Sequence, residues 1–258
     1  MSSYLVNMVA DIENKRYLEL GIYDGVNFGV VGAKDKVSVD AHHPADFRGS
    51  TDAFFAQLPE GKKFDVVYID ADHSWRAVVR DFNNVLKHLA PGGLVFVHDL
   101  IPGTEELTAK HFCGDGFKVL HHILTNQASD YEMCSLDSDY GMTLFVSPKV
   151  PLEVPSTCGS VGYQAFEAVL KTYPRCSRDE MRALVAKITA KKETPKVKKV
   201  EIKESKSGSL GLKQTMTPKK KGSKKRKAGR KANVSKKESS GNRGSGVHRS
   251  GPTKKSSG

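Results

Sequence analysis

The chain has 258 residues, of which 38% are hydrophobic, and a formal net charge of +12. No apolar run approaches the ~20 residues that span a membrane, and the N-terminus lacks the basic segment and long apolar stretch of an export signal. Four scattered cysteines without a C-x-x-C pair argue against a zinc site or a disulfide framework, so we expect an intracellular protein from a reduced compartment.

The most informative segment, residues 16–25, combines a strand, a turn and the start of a helix. Its apolar strand ends in Glu19, its turn contains Gly21 and Gly25, and a second apolar run ends in Asp40, 19 residues after Gly21. This spacing is typical of a nucleoside-cofactor site at the first two strands of a doubly wound sheet. Asp40 would accept hydrogen bonds from both ribose hydroxyls. An ordinary strand, turn and helix without a ligand is the alternative.

The departures from the dinucleotide fingerprint indicate which cofactor fits. Tyr23 stands at the position of the middle glycine, so a pyrophosphate cannot lie against the backbone there. Glu19 would repel a phosphate but attract an ammonium or sulfonium group. A cofactor with adenine, ribose and a cationic amino-acid end therefore fits better than NAD, and that describes S-adenosylmethionine.

Two further apolar segments are predicted to be strands, and they end in Asp70 and Asp99. Between them, residues 75–89 have the spacing of a helix with charged residues, including Asp81, on the face opposite its apolar positions. A strand, a helix and a strand make a right-handed parallel crossover. Four predicted strands thus end in acids, and ligands of open α/β sheets bind at the carboxyl ends of strands.

Helices are predicted on both sides of this region. Residues 3–14 have the spacing of a lead helix, and residues 141–146 form the last predicted strand. A helical pattern over residues 163–173 follows, and another helix begins at the capping box of residues 177–180. We expect this helical extension, residues 151–190, to cover the sheet or to close the substrate side.

The basic charge is concentrated at the C-terminal end. Residues 191–258 contain 23 of the 41 Lys and Arg residues but 4 of the 29 acidic residues, so they carry +19 and residues 1–190 carry −7. The segment has no Phe, Tyr or Trp, so it cannot bury enough apolar surface to offset the entropy cost of folding. We predict one folded domain over 1–190 and a disordered Lys/Gly/Ser-rich basic tail over 191–258.

The tail has the composition of a polyanion-binding segment. Clusters such as Lys219–Lys221 and Lys224–Lys227 are similar to histone-type tails and nuclear-localisation signals. Lysine-rich chains bind phosphate backbones through counterion release and without sequence preference. We therefore expect non-specific binding to nucleic acid or another polyanion, with a nuclear location in a eukaryotic host and a cytoplasmic one otherwise. The alternative is a tail that serves only solubility.

Residues 15–147 resemble class I S-adenosylmethionine-dependent methyltransferases. The most similar branch is the small bacterial and viral O-methyltransferases of the macrocin and mycinamicin (macrolide-sugar) type. The resemblance implies an α/β fold with a doubly wound, mostly parallel Rossmann-like sheet and a C-terminal antiparallel strand. The resemblance rests on motifs that follow one another in the same order as in the family: Glu19–Gly25, Val39–His42, Phe64–Trp75, Leu89–Gly93 and Val97–Asp99.

The resemblance also implies roles for residues that would hold the cofactor. Glu19, Gly21 and Gly25 would hold its methionine end. Asp40 would hold the ribose, and Ser50 would approach the adenine. The segment after Asp40 leaves no room for a helix before the third strand, so we expect an adenine side that is more open than usual. The full predicted cofactor set is Glu19, Gly21, Tyr23, Gly25, Asp40, Ser50 and Asp70.

A reactive cluster is predicted where Asp70, His73 and the pair His98 and Asp99 follow adjacent strands. Carboxylate oxygens and water suit Mg²⁺ or Mn²⁺, and such an ion would lower the pKa of the hydroxyl to be methylated. The resemblance implies a metal site formed by Asp70, His98 and Asp99, although His98 replaces the glutamate of the family, which leaves the identity of the ion open. It also gives His73 the role of general base, since imidazole titrates near neutral pH.

Structural roles are the alternatives for the same residues. Asp70 could serve the cofactor alone, Asp72 could cap the following helix, and His98 could be a half-buried structural histidine. His42 and His43 follow the predicted ribose acid, and we expect them to line the pocket and not to bind metal.

These patterns predict an S-adenosylmethionine-dependent O-methyltransferase that acts on a hydroxyl of a small-molecule or sugar-like acceptor with the help of a divalent metal. One alternative is nucleic-acid methylation with the tail as an anchor. Against it, the chain has neither the Asn/Asp-Pro-Pro-Tyr motif of base N-methylation nor a Pro-Cys nucleophile. Another alternative is a non-catalytic, nucleic-acid-associated protein with a methyltransferase fold, and the complete set of site acids argues against that.

Overall fold

One mostly parallel sheet organises the part of the chain that the computed structural model describes, which is residues 2–9, 11–136, 140–173 and 175–191. Across the sheet the strand order is β3-β2-β1-β4-β5-β7-β6. The first five strands are parallel, and β7 runs antiparallel to β5 and β6. The predicted fold class is confirmed, and β6 is a strand that the sequence did not predict. The strands are β1 (Arg16–Leu20), β2 (Asp35–Asp40), β3 (Phe47–Arg48), β4 (Phe64–Ile69), β5 (Leu89–Val97), β6 (Met133–Leu136) and β7 (Met142–Val146).

Helices pack on both faces of the sheet. None of the helices in the described residues is both long enough and apolar enough to cross a membrane. Residues 192–258, nearly all of the predicted basic tail, lie outside the described residues, so their predicted disorder stays a prediction. The helices are α1 (Ser2–Asn7), α2 (Val26–Val30), α3 (Thr51–Gln57), α4 (Trp75–His88), α5 (Phe117–His122), α6 (Tyr163–Leu170) and α7 (Arg178–Lys191).

Alternating residues of the strands fill two separate apolar layers, because successive side chains of a strand point to opposite faces. On one face Phe82 of α4 packs against Phe145 of β7, with ring centroids 4.9 Å apart. On the other face Tyr17 of β1 packs in a cluster with Leu5 of α1 and Met181 of α7. All five side chains are buried, and each contributes roughly 1.5–3 kcal/mol of burial free energy.

Side-chain caps define where α4 and α7 begin. The predicted capping box is confirmed, since the Ser177 N–H donates to Glu180 Oε2 (2.7 Å) and the Glu180 N–H donates to Ser177 Oγ (3.3 Å). At α4 the N-cap is Ser74, whose Oγ accepts from the Ala77 N–H. The suggestion that Asp72 caps this helix is wrong, because Asp72 accepts from the Ser74 N–H one step earlier (2.9 Å).

The predicted lead helix over residues 3–14 is only partly correct. The α-helix ends at Asn7, and a separate 3₁₀ turn covers Ile12–Asn14. Asp11 between them has a φ of 59°, a left-handed conformation that a right-handed helix cannot contain.

The expectation that the cysteines are unpaired is wrong for one pair. Cys134 of β6 and Cys176 form a disulfide, with Cα atoms 6.0 Å apart, which is an ordinary separation for such a bond. They meet because the chain before α7 runs beside β6, where the Cys176 N–H donates to the Ser135 carbonyl (3.0 Å). Cys113 and Cys158 are free and buried.

Two glycines with the same backbone conformation allow a matched test of how tightly β1 meets β4. Gly21 has a φ of +81° and a Cβ there would overlap the Asp70 carbonyl, whereas Gly61 has a φ of +83° and open space around it. Gly61→Ala should cost only the left-handed penalty, roughly 1–2 kcal/mol. Gly21→Ala should cost about 1–3 kcal/mol more because of overpacking. Urea unfolding of both variants measures the difference, and equal losses would contradict the close contact.

Candidate active site

The strand order reverses at β1 and β4, since β2 and β3 lie beyond β1 while β5 lies beyond β4. Open α/β sheets bind ligands at such a point, outside the carboxyl ends of the strands. A cavity of about 880 Å³ opens there, within the volume range of small-molecule sites.

Most of the residues that the sequence predicts for the site meet in this cavity. Gly25 does not line it, and instead it precedes α2 with a φ of 75°. His42 and His43 line it, as expected. Nine of the ten predicted residues form its wall: Glu19, Gly21, Tyr23, Asp40, Ser50, Asp70, His73, His98 and Asp99.

The glycine turn after β1 joins three strand ends. The Gly21 N–H donates to the Val39 carbonyl of β2 (2.8 Å), and the Asp70 N–H donates to the Leu20 carbonyl (2.8 Å). Since Gly21 has no side chain, its Cα can lie directly against the Asp70 carbonyl. Tyr23 follows with a φ of 48° and is 74% exposed, so its ring stands at the cavity mouth.

Glu19 is a buried carboxyl group at the floor of the cavity. Its Oε2 accepts from the Tyr17 hydroxyl (2.6 Å) and its Oε1 accepts from the Asn27 amide (3.0 Å). Burial raises the pKa of Glu19 to about 7, although both hydrogen bonds act to lower the pKa. A cation in the cavity would favour the ionised form, so the group is suited to bind a positively charged ligand.

Asp40 holds the loops of the site together. Its two oxygens accept from the backbone N–H groups of Ile22, Tyr23, His42 and His43 at 2.7–3.2 Å. Burial acts to raise the pKa of Asp40, but these donors outweigh it and lower the pKa to about 2. The carboxylate is therefore charged at neutral pH and nearly saturated with donors. Its predicted bond to a ribose stays a prediction, and a ribose would have to share or replace some of these donors.

The opposite end of the cavity is formed by the start of α3 and the middle of α4. Ser50 caps α3, where its Oγ accepts from the Ala53 N–H (3.2 Å), so its approach to adenine stays a prediction. The Thr51 hydroxyl donates to Asp81 Oδ1 (2.6 Å). Burial raises the pKa of Asp81 to about 6. The expectation that Asp81 lies on the solvent face of α4 is wrong, because Asp81 is buried beside Thr51 at the start of α3.

Two imidazoles lie between two carboxylates at the ends of β4 and β5. His73 Nε2 is 3.2 Å from Asp70 Oδ1, and His73 Nδ1 is 3.2 Å from Asp99 Oδ2. His98 Nδ1 is 3.4 Å from Asp70 Oδ1 and 3.1 Å from Asp99 Oδ1. The structure therefore brings together all four residues predicted for the chemistry.

The orientation of His73 is fixed by a backbone carbonyl. Its Nδ1 lies 2.6 Å from the Phe112 carbonyl oxygen, and since a carbonyl only accepts, Nδ1 carries the hydrogen. Burial acts to lower the pKa of His73, but the bonds to Asp70 and Phe112 and the two acids raise it to about 9. The burial of Asp70 acts to raise its pKa, but His73 and His98 hold that pKa well below the usual range. In the absence of a ligand, His73 is therefore protonated at neutral pH.

The donor groups of this cluster fit a divalent cation. Asp70, His73 and Asp99 each offer one donor atom, and these atoms lie within 4.8 Å of one another. Asp99 Oδ1 is buried and accepts no hydrogen bond from the described residues, so a cation would compensate its burial. Asp99 also has a φ of 60°, an unusual conformation that is typical of functional sites.

Among the parts of the wall that the sequence did not predict are residues 111–113, which lie beside His73. They are held by Gly114, whose Cα packs on the His73 carbonyl, and by Asp115, which accepts from the Trp75 N–H (2.8 Å). Burial raises the pKa of Cys113 to about 12, so its thiol is not a nucleophile. The sequence signal that could have identified this loop is the Gly-Asp-Gly motif at residues 114–116. This motif also resembles the methyltransferase family, but it contains none of the residues predicted for the site.

One family model matches part of this chain. The family model described as "Methyltransferase domain" matches residues 31–100, which confirms the predicted methyltransferase class for that stretch of the chain. No curated protein matches the chain.

Several solved structures are similar in fold. The O-methyltransferase TomG from Streptomyces achromogenes, involved in tomaymycin synthesis and solved with SAM, has 19% identity over 57% of this chain and 79% of that chain, with a TM-score of 0.44. An O-methyltransferase from Bacillus cereus solved with SAH has 16% identity over 57% of this chain and 80% of that chain, with a TM-score of 0.46. Cofactor-bound Rv0187 from MTB has 16% identity over 57% of this chain and 79% of that chain, with a TM-score of 0.47.

The raised pKa of Glu19 predicts a pH dependence of stability. The folded state holds this proton more tightly than the unfolded chain, so the contribution of Glu19 to stability is fully present below pH 4.5 and is lost as the pH rises through 7. Glu19→Gln does not titrate, so the variant should gain about 1–3 kcal/mol relative to the parent between pH 4.5 and 8. Urea unfolding without ligand measures this, with exposed Glu132→Gln as the control. Parallel pH curves for parent and Glu19→Gln would contradict the prediction.

Proposed function

We propose that the chain is an S-adenosylmethionine-dependent O-methyltransferase that acts on a hydroxyl group of a small-molecule or sugar-like acceptor with a divalent cation. One observation carries the proposal. A single cavity joins the buried carboxyl of Glu19 and the glycine turn to the cluster of Asp70, His73 and Asp99. The proposed cofactor site and the proposed site of proton removal would therefore share one cavity.

The cofactor half depends on charge and on close backbone approach. When bound, S-adenosylmethionine supplies an electrophilic methyl group on a sulfonium centre. Glu19 attracts the positively charged end, and Gly21 allows that end to lie against the backbone. Asp40 provides a carboxylate near the ribose, and Ser50 lies at the adenine end. Tyr23, in place of a glycine, disfavours the pyrophosphate of NAD.

The acceptor half depends on proton removal at the acid and imidazole cluster. Asp70, His98 and Asp99 would hold a divalent cation, which lowers the pKa of an acceptor hydroxyl beside it. His73 would take the hydroxyl proton at Nε2, because its Nδ1 hydrogen is engaged by the Phe112 carbonyl. Since His73 is protonated in the ligand-free arrangement, the positive charge of cofactor and cation is needed to lower its pKa and free that nitrogen.

The mouth of the cavity supports an acceptor with ring faces. Tyr23, Phe112 and Tyr140 line the cavity and are 74%, 45% and 49% exposed. Exposed aromatic side chains at the mouth of a cavity suggest a binding surface, and their flat rings suit a sugar or another ring that carries hydroxyls. The macrocin and mycinamicin type of acceptor is consistent with this surface.

A second activity, polyanion binding, is proposed for residues 191–258 on the basis of their charge of +19. The rest of the chain carries −7, so any duplex binding should depend on the tail. Methylation of a nucleic acid anchored by this tail is the alternative function, and it requires that the domain itself contact the nucleic acid.

Calorimetry and an acceptor screen test the proposed reaction. The protein should bind S-adenosylhomocysteine but not NAD, and mass spectrometry with methyl-labelled cofactor should reveal a methylated hydroxyl compound. Turnover should be lost in excess EDTA and return when divalent ions are added. Binding of NAD alone would overturn the cofactor assignment, and full turnover in EDTA would overturn the cation.

A pair of histidine variants tests the base. His73→Ala should lower turnover by roughly 10²-fold or more, the usual contribution of a general base, while calorimetry should give unchanged affinity for S-adenosylhomocysteine. His121→Ala is the control, since His121 lies on α5 and does not line the cavity. Equal turnover of the two variants would rule out His73 as the base.

Removal of residues 191–258 tests the tail. Full-length protein should bind duplex DNA without sequence preference, with a log–log salt slope near −5 if about six phosphates are neutralised. The truncated protein should lose this binding and keep its affinity for S-adenosylhomocysteine. A truncated protein that still shifts DNA in a gel would favour nucleic-acid methylation.

A further inference from the structure

His98 directs one ring nitrogen at both acids of the proposed cation site. Its Nδ1 approaches Asp70 Oδ1 at 3.4 Å and Asp99 Oδ1 at 3.1 Å. His73 reaches the same two acids with opposite nitrogens, Nε2 for Asp70 and Nδ1 for Asp99. Because one ion binds only one nitrogen of a ring, His98 has the geometry of a ligand. His73 has the geometry of a neighbouring residue that bridges the two acids, with Nε2 beside Asp70 and Nδ1 beside Asp99 and the Phe112 carbonyl.

The distances around His98 Nδ1 match those of donors that share an ion. Donor atoms about 2.1 Å from a six-coordinate ion lie roughly 3 Å apart when they occupy neighbouring positions. Hydrogen bonds within the cluster leave one acceptor unsatisfied, since Asp99 Oδ1 is buried and accepts no hydrogen bond from the described residues. The side chain of Asp99 is 10% exposed, so bulk water does not satisfy that oxygen either.

We propose that this site binds a transition-metal dication of the Fe²⁺ to Zn²⁺ group in preference to Mg²⁺, with Asp70 Oδ1, Asp99 Oδ1 and His98 Nδ1 as its protein ligands. The inference deepens the proposed function and rests on its cation. Mg²⁺ prefers oxygen ligands and loses water reluctantly, whereas imidazole suits iron, cobalt, nickel and zinc. Where the resemblance implies a negative carboxylate, His98 offers a neutral nitrogen, which removes attraction on which Mg²⁺ depends more than the softer ions do.

Metal titration of the full-length chain tests the preference directly. After removal of metal with a chelator, Co²⁺ serves as the probe for the transition-metal group, and Mg²⁺ is titrated in parallel by calorimetry. Co²⁺ should bind tighter than Mg²⁺ by about tenfold or more. The visible absorption of bound Co²⁺ gives a second readout, because its bands change when a nitrogen ligand is replaced by oxygen.

Variants identify the nitrogen that is responsible. His98→Glu restores an all-oxygen site, so it should weaken Co²⁺, strengthen Mg²⁺ and shift the Co²⁺ bands. His98→Gln should weaken Co²⁺ without strengthening Mg²⁺, and it covers the case in which a buried glutamate disturbs folding. His73→Gln should leave Co²⁺ affinity within a few-fold and the bands unchanged. His121→Gln is the control, since His121 is a half-buried histidine that does not line the cavity.

The outcomes separate this inference from the proposed reaction. Equal affinity for Mg²⁺ and Co²⁺, or a Co²⁺ spectrum that responds to His73→Gln and not to the His98 variants, would overturn the inference. Methyl transfer with Mg²⁺, together with Mg²⁺ binding as tight as that of Co²⁺, would leave the proposed function intact and the inference wrong. Tight Co²⁺ binding at His98 without methyl transfer to any hydroxyl would leave the inference intact and the proposed function wrong.

Discussion

The close contact between Gly21 and the Asp70 carbonyl is the constraint on which the cavity depends. It brings the end of β1 against the end of β4, at the point where the strand order reverses. A side chain at residue 21 would separate these ends and with them the two halves of the cavity. Backbone hydrogen bonds join the strand ends from which the two halves of the cavity extend. The two halves are therefore aligned without a rearrangement of the loops.

The surroundings of each carboxyl group decide what it can do. Asp40, with four backbone donors, has a pKa of about 2, whereas buried Glu19 has a pKa of about 7. Asp40 is therefore ionised throughout the neutral pH range, whereas the ionisation of Glu19 depends on whether a cationic ligand is bound. The acids beside His73 raise its pKa to about 9. His73 therefore carries a positive charge in the site without ligands, and cationic ligands would favour its neutral form.

Much of the fold and most of the site could be predicted because both follow from short-range patterns. Strands that end in Glu19, Asp40, Asp70 and Asp99 place those acids at one sheet edge whatever the details of packing. The helix spacing after Trp75 and the capping box at 177–180 are equally local.

The errors concern features that depend on distant parts of the chain. Asp81 is buried beside Thr51, which is 30 residues away in the chain, and Cys134 pairs with a cysteine 42 residues away. Residues 111–113 become part of the site because Phe112 and Gly114 contact His73, and no spacing rule in the sequence identifies such a loop. The many backbone donors to Asp40 were also hidden, because they depend on how two loops fold around one carboxylate.

The left-handed backbone of three non-glycine residues limits which stabilising substitutions this protein can accept without loss of activity. Tyr23, Asp99 and Tyr140 all have φ values between 48° and 61°, and all line the cavity. Glycine would relieve the backbone strain at each position but would remove an aromatic ring from the mouth or a carboxylate from the cluster. Laboratory selection for thermal stability alone would therefore accumulate glycine at these positions and lose activity first, so stabilised variants should be selected for binding at the same time.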